Sequence, residues 1–129
     1  MKKFILIDDE PIFNFLTKKV IEKSEIGGSI ELFSSPTKAL KSLSEMEEGL
    51  EDCKVIILLD IKMPLMSGFE FLEKLFKFPS PLIEKAKIFM LTSSCEEVDY
   101  QKAHLYPQVC GFFNKPFNNE LIEKIKSVA

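Results

Sequence analysis

Three segments of the chain, "KFILI" (3–7), "KVIILL" (54–59) and "KIFML" (87–91), are apolar at every position after their first lysine instead of at every second one. A strand with one wet face alternates, so uninterrupted apolar runs of this length imply cover on both faces, as in a parallel sheet between helices. Two further runs, "SIELF" (29–33) and "VCGFF" (109–113), complete five strand candidates separated by segments of helical periodicity. Strands alternating with helices over short connections predict an α/β fold, a doubly wound five-stranded parallel sheet with helices on both faces. At 129 residues and 46% hydrophobic content the chain suits one domain, spanning 1–129.

The first helix is expected from Pro11, capped by Asp9, with Ile12, Phe13, Leu16 and Val20 facing inward. A second carries Ser35 as cap, Pro36 at its first position and Ala39, Leu40 and Leu43 inside, ending near Gly49. The third, Ser67 to Phe76, is apolar at Phe69, Phe71, Leu72, Leu75 and Phe76, more than one face of a two-layer contact uses; the excess is assigned to covering the turn "FPSPLIEKA" or a partner. Within that turn Ser80 and Pro81 repeat the cap-then-proline signal and predict a short extra helix over 81–86. A fourth main helix after Ser94, with Val98, Ala103 and Leu105, is weakly amphipathic and expected to be the least firmly held. The fifth, from Asn118 or Asn119, aligns Leu121, Ile122, Ile125 and Val128.

Composition removes several function classes. A net charge of -3 and a pI near 5.3 argue against a basic nucleic-acid-tracking surface. No apolar run approaches a membrane span and the acids after residue 7 interrupt any signal peptide, so the expected compartment is the cytoplasm. Cys53, Cys95 and Cys110 are odd in number and lack metal-ligand spacing, which leaves packing as their role; His104, the one histidine, lies on a polar stretch and is read as a surface residue.

Ligands of doubly wound sheets bind beyond the carboxyl ends of the strands, at the point where the winding reverses. In "VIILLDIKMPLMSG" (55–68) Asp60 sits at the end of strand 3, and strand 1 ends in "IDDE", which brings Asp8 and Asp9 to the same edge. Three carboxylates gathered there repel unless a proton or a cation compensates, and hard oxygen ligands with room for water suit Mg²⁺. Thr92 at the end of strand 4 and Lys115 after strand 5 add a hydroxyl and an ammonium, the complement of a phosphoryl group. Each of these residues alone reads as an ordinary turn, cap or surface lysine. Four of five strand ends supplying a mutually complementary set is what points to a site.

The motifs "IDDE" (7–10), "LLDIKMPLMSG" (58–68), "LTSS" (91–94) and "NKPF" (114–117), in that order, resemble those of the receiver domains of two-component response regulators, over essentially the whole chain. The flavodoxin-like strand order 2-1-3-4-5 is carried over with that likeness rather than derived. The resemblance implies that Asp60 is the phosphoacceptor, that Asp8, Asp9 and the backbone carbonyl of Lys62 hold Mg²⁺ with Asp60, and that Lys115 pairs with the phosphoryl group. It further implies Thr92 and Phe112 as switch residues, a cis bond between Lys115 and Pro116, and Gly68 ending the loop after the acceptor. The implied donor is a histidine kinase or histidine phosphotransfer protein, with no nucleic acid or membrane contact on this chain. The implied output is a surface made by the fourth main helix, the fifth strand and the fifth main helix, which engages a downstream target or passes the group on in a relay. Such a protein catalyses only its own phosphorylation and dephosphorylation, and no output domain is expected after the last helix.

Three departures accompany the likeness. The switch aromatic is Phe112, which lacks a hydroxyl; "HLYPQVCG" replaces the usual small turn before strand 5; and Lys62 and Ser94 occupy positions that tune phosphoryl hydrolysis in the family. Lys62 is expected near the phosphoryl oxygens, screening them from water. Two other classes fit less well. An aspartate-based phosphohydrolase places its nucleophile after strand 1 in a D-x-D arrangement, where "DDE" offers only Asp8 and Glu10 at that spacing. A flavodoxin-like cofactor carrier needs a hydroxyl- and glycine-rich phosphate loop there, and this chain has acids and Pro11.

Overall fold

The computed structural model describes residues 2–46, 54–78, 81–93, 96–115 and 119–128. Five strands, β1 (Lys2–Ile7), β2 (Ser29–Phe33), β3 (Lys54–Asp60), β4 (Lys87–Thr92) and β5 (Val109–Asn114), form one sheet in the order β2-β1-β3-β4-β5. Every pairing is parallel. The helices are α1 (Pro11–Lys23), α2 (Pro36–Ser44), α3 (Gly68–Leu75), the single turn α4 (Pro81–Glu84), α5 (Glu97–Ala103) and α6 (Asn119–Val128). The three uninterrupted apolar runs are the three central strands, and β2 and β5 form the edges.

Alternate strand residues feed two separate cores. Ile5, Ile7, Ile57, Leu59, Ile88 and Met90 face one side, against Leu43 of α2 and most of α3. Phe4, Leu6, Ile56, Leu58, Phe89 and Leu91 face the other, against Ile21 of α1 and Leu121, Ile122 and Ile125 of α6. Each fully buried side chain of this size contributes roughly 1.5–3 kcal/mol of transfer free energy, so these two layers hold the strand ends in place.

Local signals account for the starts of α2 and α3. Ser35 accepts from the Lys38 backbone N–H, with Pro36 in the first turn. Ser67 and Glu70 form a reciprocal capping box at the start of α3. The apolar excess of α3 is used within the fold: Phe69, Phe71, Leu72 and Leu75 are all buried. Phe69 stacks on Tyr106 at 6.0 Å with the Lys102 ammonium 4.7 Å from its ring centroid, and the Tyr106 hydroxyl donates to Glu73 at 2.5 Å. That bond and, more strongly, burial push the Tyr106 phenol up to about 12. In α5 only Ala103 is buried, while Val98, and Leu105 just past the helix end, face solvent, in keeping with its weak amphipathicity. α2 ends at Ser44, before the expected Gly49, which lies outside the described residues together with Ser80, Asn118, Cys53 and Cys95. Cys110 is half-buried and packs against the second core.

The first helix differs from the sequence reading. Its buried face is Asn14, Thr17 and Ile21, while Ile12 and Leu16 are 64% and 47% exposed and Phe13 and Val20 are only partly covered. Apolar spacing pointed to the wrong stripe because a buried polar residue, Asn14, has bonding partners inside and makes the polar stripe the inward one. Asp9 is not the cap either. Glu10 holds that position without a side-chain cap bond, and its N–H donates to Asp8 Oδ1 at 2.9 Å.

Candidate functional site

The central strands end together at one edge of the sheet. Asp60 is the last residue of β3, Asp8 and Asp9 follow β1, Thr92 closes β4, and Lys115 follows β5. Asp8, Asp60 and Thr92 are buried, at 5%, 5% and 1% exposure. Among the described residues, Asp8, Asp9 and Asp60 form the one cluster able to hold a metal ion, each offering an oxygen within 4.8 Å of the others.

Local bonds fix the acids. Asp8 N–H donates to Phe33 carbonyl at 3.1 Å, and the buried Asn14 amide donates to both the Asp8 carbonyl (3.2 Å) and the Phe33 carbonyl (3.0 Å), tying the ends of β1 and β2. Ile61 N–H donates to the Leu91 carbonyl at 3.1 Å, continuing the β3–β4 ladder past the acceptor position. The loop then returns: Gly68 N–H donates to the Ile61 carbonyl at 2.8 Å. A Cβ at residue 68 would lie 2.6 Å from the Asp60 carbonyl oxygen, so only glycine permits this close return. Leu65, at the loop's tip, is fully exposed in a left-handed conformation (φ 70°).

Lys115 Nζ lies 2.5 Å from Asp8 Oδ2 and 3.4 Å from Asp60 Oδ1, with its side chain 6% exposed. Its ammonium also stands 4.4 Å from the Phe13 ring centroid, a cation–π contact. Its backbone N–H donates to the Thr92 carbonyl at 2.7 Å. One ammonium does not balance three carboxylates. Burial and, next, the Asp8 charge push the Asp60 carboxyl from 3.8 up to about 7, and Lys115 pulls the other way. Near neutrality a proton therefore takes part of the role a cation would fill.

The residues fit a hard divalent cation on a separate observation: Asp9 Oδ1 is buried and accepts no hydrogen bond. An acceptor-only oxygen left in that state is costly, and a metal would satisfy it.

Two predicted residues make their contacts with the α5 segment. The Lys62 ammonium is bound to Glu96 Oε1 at 2.7 Å, in an exposed pair that raises the lysine's pKa, rather than over Asp60. Phe112, half-buried on β5, meets Tyr100 of α5 edge-on at 5.6 Å, so its ring is coupled to that helix. His104 is exposed at the end of α5. Pro116 and Ser94 lie outside the described residues. Sequence reading passed over Asn14 and Glu96. The first was detectable as a polar residue at helical spacing from Thr17 and Ile21; nothing in the sequence marked the second.

A parallel sheet in this order, with acids at the ends of β1 and β3 and a lysine just past the edge strand β5, is a flavodoxin-like frame with an acidic pocket at its carboxyl edge. The chain belongs to the response regulator receiver domain family, whose sequence model matches residues 4–126. Members are phosphoacceptors of two-component systems that hold Mg²⁺ in an acidic pocket and interact with histidine kinases or phosphotransfer proteins.

The two-component response regulator ORR1 of Oryza sativa subsp. japonica is 34% identical over 97% of this chain and 54% of its own length. The chain spans about half the length of the curated relatives it matches. A response regulator receiver protein from Dyadobacter fermentans superposes with a TM-score of 0.86 at 28% identity, covering 99% of this chain and 98% of that one. TrrA from Thermotoga maritima, solved in complex with Mg²⁺-BeF, gives 0.74 at 28% identity, with all of both chains covered. No helix among the described residues is long and apolar enough to cross a membrane.

Proposed function

We propose that residues 1–129 act as one cytoplasmic receiver domain that takes a phosphoryl group from a histidine kinase or histidine phosphotransfer protein onto Asp60. The observation that carries this reading is the convergence of the Asp8, Asp9 and Asp60 oxygens within 4.8 Å of one another, with Lys115 at 2.5 Å from Asp8 and 3.4 Å from Asp60.

An Asp60 oxygen attacks the phosphorus, the bond from phosphorus to the donor nitrogen breaks, and the imidazole leaves with the electron pair. Lys115 stays close to Asp60 throughout and neutralises charge on the transferring oxygens. Asp8 and Asp9, with Asp60 and the Lys62 backbone carbonyl, would hold Mg²⁺, which when bound supplies further neutralisation and lowers the proton affinity of Asp60. The Gly68 return and the Ile61–Leu91 bond keep the acceptor fixed, so that positioning supplies much of the acceleration. Chemistry is confined to the chain's own phosphorylation and dephosphorylation.

The exposed face of α1, with Ile12, Phe15 and Leu16, begins three residues after Asp9 and offers an apolar platform. A partner presenting its histidine to Asp60 would cover it. Thr92 and Phe112 would carry the phosphorylated state outward to α5, β5 and α6, because Phe112 touches Tyr100 of α5. Intact-mass measurement after exposure to acetyl phosphate, with and without Mg²⁺, tests the reading. One added phosphoryl group that requires Mg²⁺ and is lost in Asp60→Asn is the expected result; an unmodified wild-type protein rejects it.

A further inference from the structure

Lys62 is bracketed by two anionic positions. Two residues before it lies the acceptor Asp60, and across a cleft of about 540 Å³ lie Glu96 and Asp99 of the α5 start. The ammonium is on the α5 side, 2.7 Å from Glu96 Oε1, with the two side chains 49% and 58% exposed. An exposed pair of this kind holds weakly, because water screens it and two long side chains must be ordered. A phosphoryl group on Asp60 would add a charge of about −1.5 to −2 on the other side. The flexible stem of lysine allows the ammonium to move between the two.

On the phosphoacceptor reading above, we propose that Glu96 is a positioning residue that competes with the phosphoryl group on Asp60 for the Lys62 ammonium and thereby sets the phosphorylated lifetime. In hydrolysis a water oxygen attacks phosphorus in line with the Asp60 oxygen. The bond from phosphorus to Asp60 breaks, the carboxylate leaves with the electron pair, and a proton of the water passes to solvent as inorganic phosphate forms. Lys62 seated on the phosphoryl oxygens obstructs that approach; Lys62 held by Glu96 leaves it open. Linkage runs both ways: the group that draws Lys62 toward Asp60 withdraws a tie between the β3–α3 loop and α5.

The test is the rate of phosphoryl loss after loading with acetyl phosphate and Mg²⁺ and removing the donor, followed by intact mass for wild type, Glu96→Gln, Glu96→Asp, Lys62→Met and the Glu96→Gln/Lys62→Met double variant. Glu96→Gln is expected to retain the group about two- to fivefold longer, the range an exposed ion pair can supply. Glu96→Asp should stay near wild type, Lys62→Met should lose the group faster, and the double variant should behave as Lys62→Met. Thermal unfolding of each variant verifies that it is folded. A wild-type rate in Glu96→Gln, or an equal slowing with and without Lys62, overturns the inference. Failure of the wild type to load at all instead overturns the phosphoacceptor reading on which it rests.

Discussion

Lys115 stands nearer to Asp8, at 2.5 Å, than to Asp60, at 3.4 Å. The lysine thus anchors on the acid that is not expected to react and leaves the Asp60 carboxylate the looser partner. A nucleophile held too firmly by a cation would lose reactivity, and this asymmetry avoids that while keeping the charge at hand.

Removing that cation leaves three carboxylates to compensate one another. In Lys115→Met, without Mg²⁺, unfolding free energy is expected to fall by about 3–5 kcal/mol near pH ~8 and by less near pH ~6, where Asp60 takes up a proton in the ammonium's place. Denaturant titration with a chelator measures the loss, and added Mg²⁺ should restore much of it. A variant as stable as wild type at both pH values contradicts the arrangement.

The proton affinity of Asp60 has a signature in stability. Its carboxyl is raised from 3.8 to about 7 by burial first and then by Asp8, so between those values the folded state binds the proton that the unfolded state releases. The contribution is fully present below 3.8 and is lost as pH rises through about 7. In chelator, wild-type stability should therefore decline across this window more steeply than that of Asp60→Asn. Parallel pH profiles would show that Asp60 is not the group responsible.

Gly68 permits the loop to return against the acceptor's own backbone. Gly68→Ala places a methyl 2.6 Å from the Asp60 carbonyl oxygen and 3.1 Å from Ile61 Cα. The expected cost is about 1–3 kcal/mol of stability, together with slower phosphoryl uptake from acetyl phosphate because Asp60 is displaced. Uptake at the wild-type rate in a fully stable variant would place the loop elsewhere.

The exposed stripe on α1 separates partner recognition from chemistry. Ile12→Ala/Leu16→Ala should change stability by no more than about 0.5 kcal/mol per site, since neither side chain is core, and should leave uptake from acetyl phosphate intact. Transfer from a histidine-phosphorylated partner protein should slow. Equal effects on both donors would show that the face serves the fold instead.

The sheet was legible because burial on both faces writes itself into a strand as an unbroken apolar run, seen in 54–59 and 87–91. The convergence of Asp8, Asp9, Asp60, Thr92 and Lys115 was legible because parallel strands end on one side, so a residue's place at a strand's end fixes its neighbours. The inward stripe of α1 was not, because Asn14 is polar in composition yet satisfied by two carbonyls in place. Nor was the Lys62–Glu96 pair, which joins loops 34 residues apart and leaves no periodic trace.

The Asn14 amide does more than quiet two carbonyl groups. Its bonds reach the chain just past β1 and the tip of β2, and β2 is a rim strand with no partner on its outer flank among the described residues. Whatever pulls on that rim is handed to the backbone of Asp8 twice, directly through the Phe33 carbonyl and again through this side chain. The acidic pocket at the middle of the sheet is in this sense mechanically continuous with its outer border.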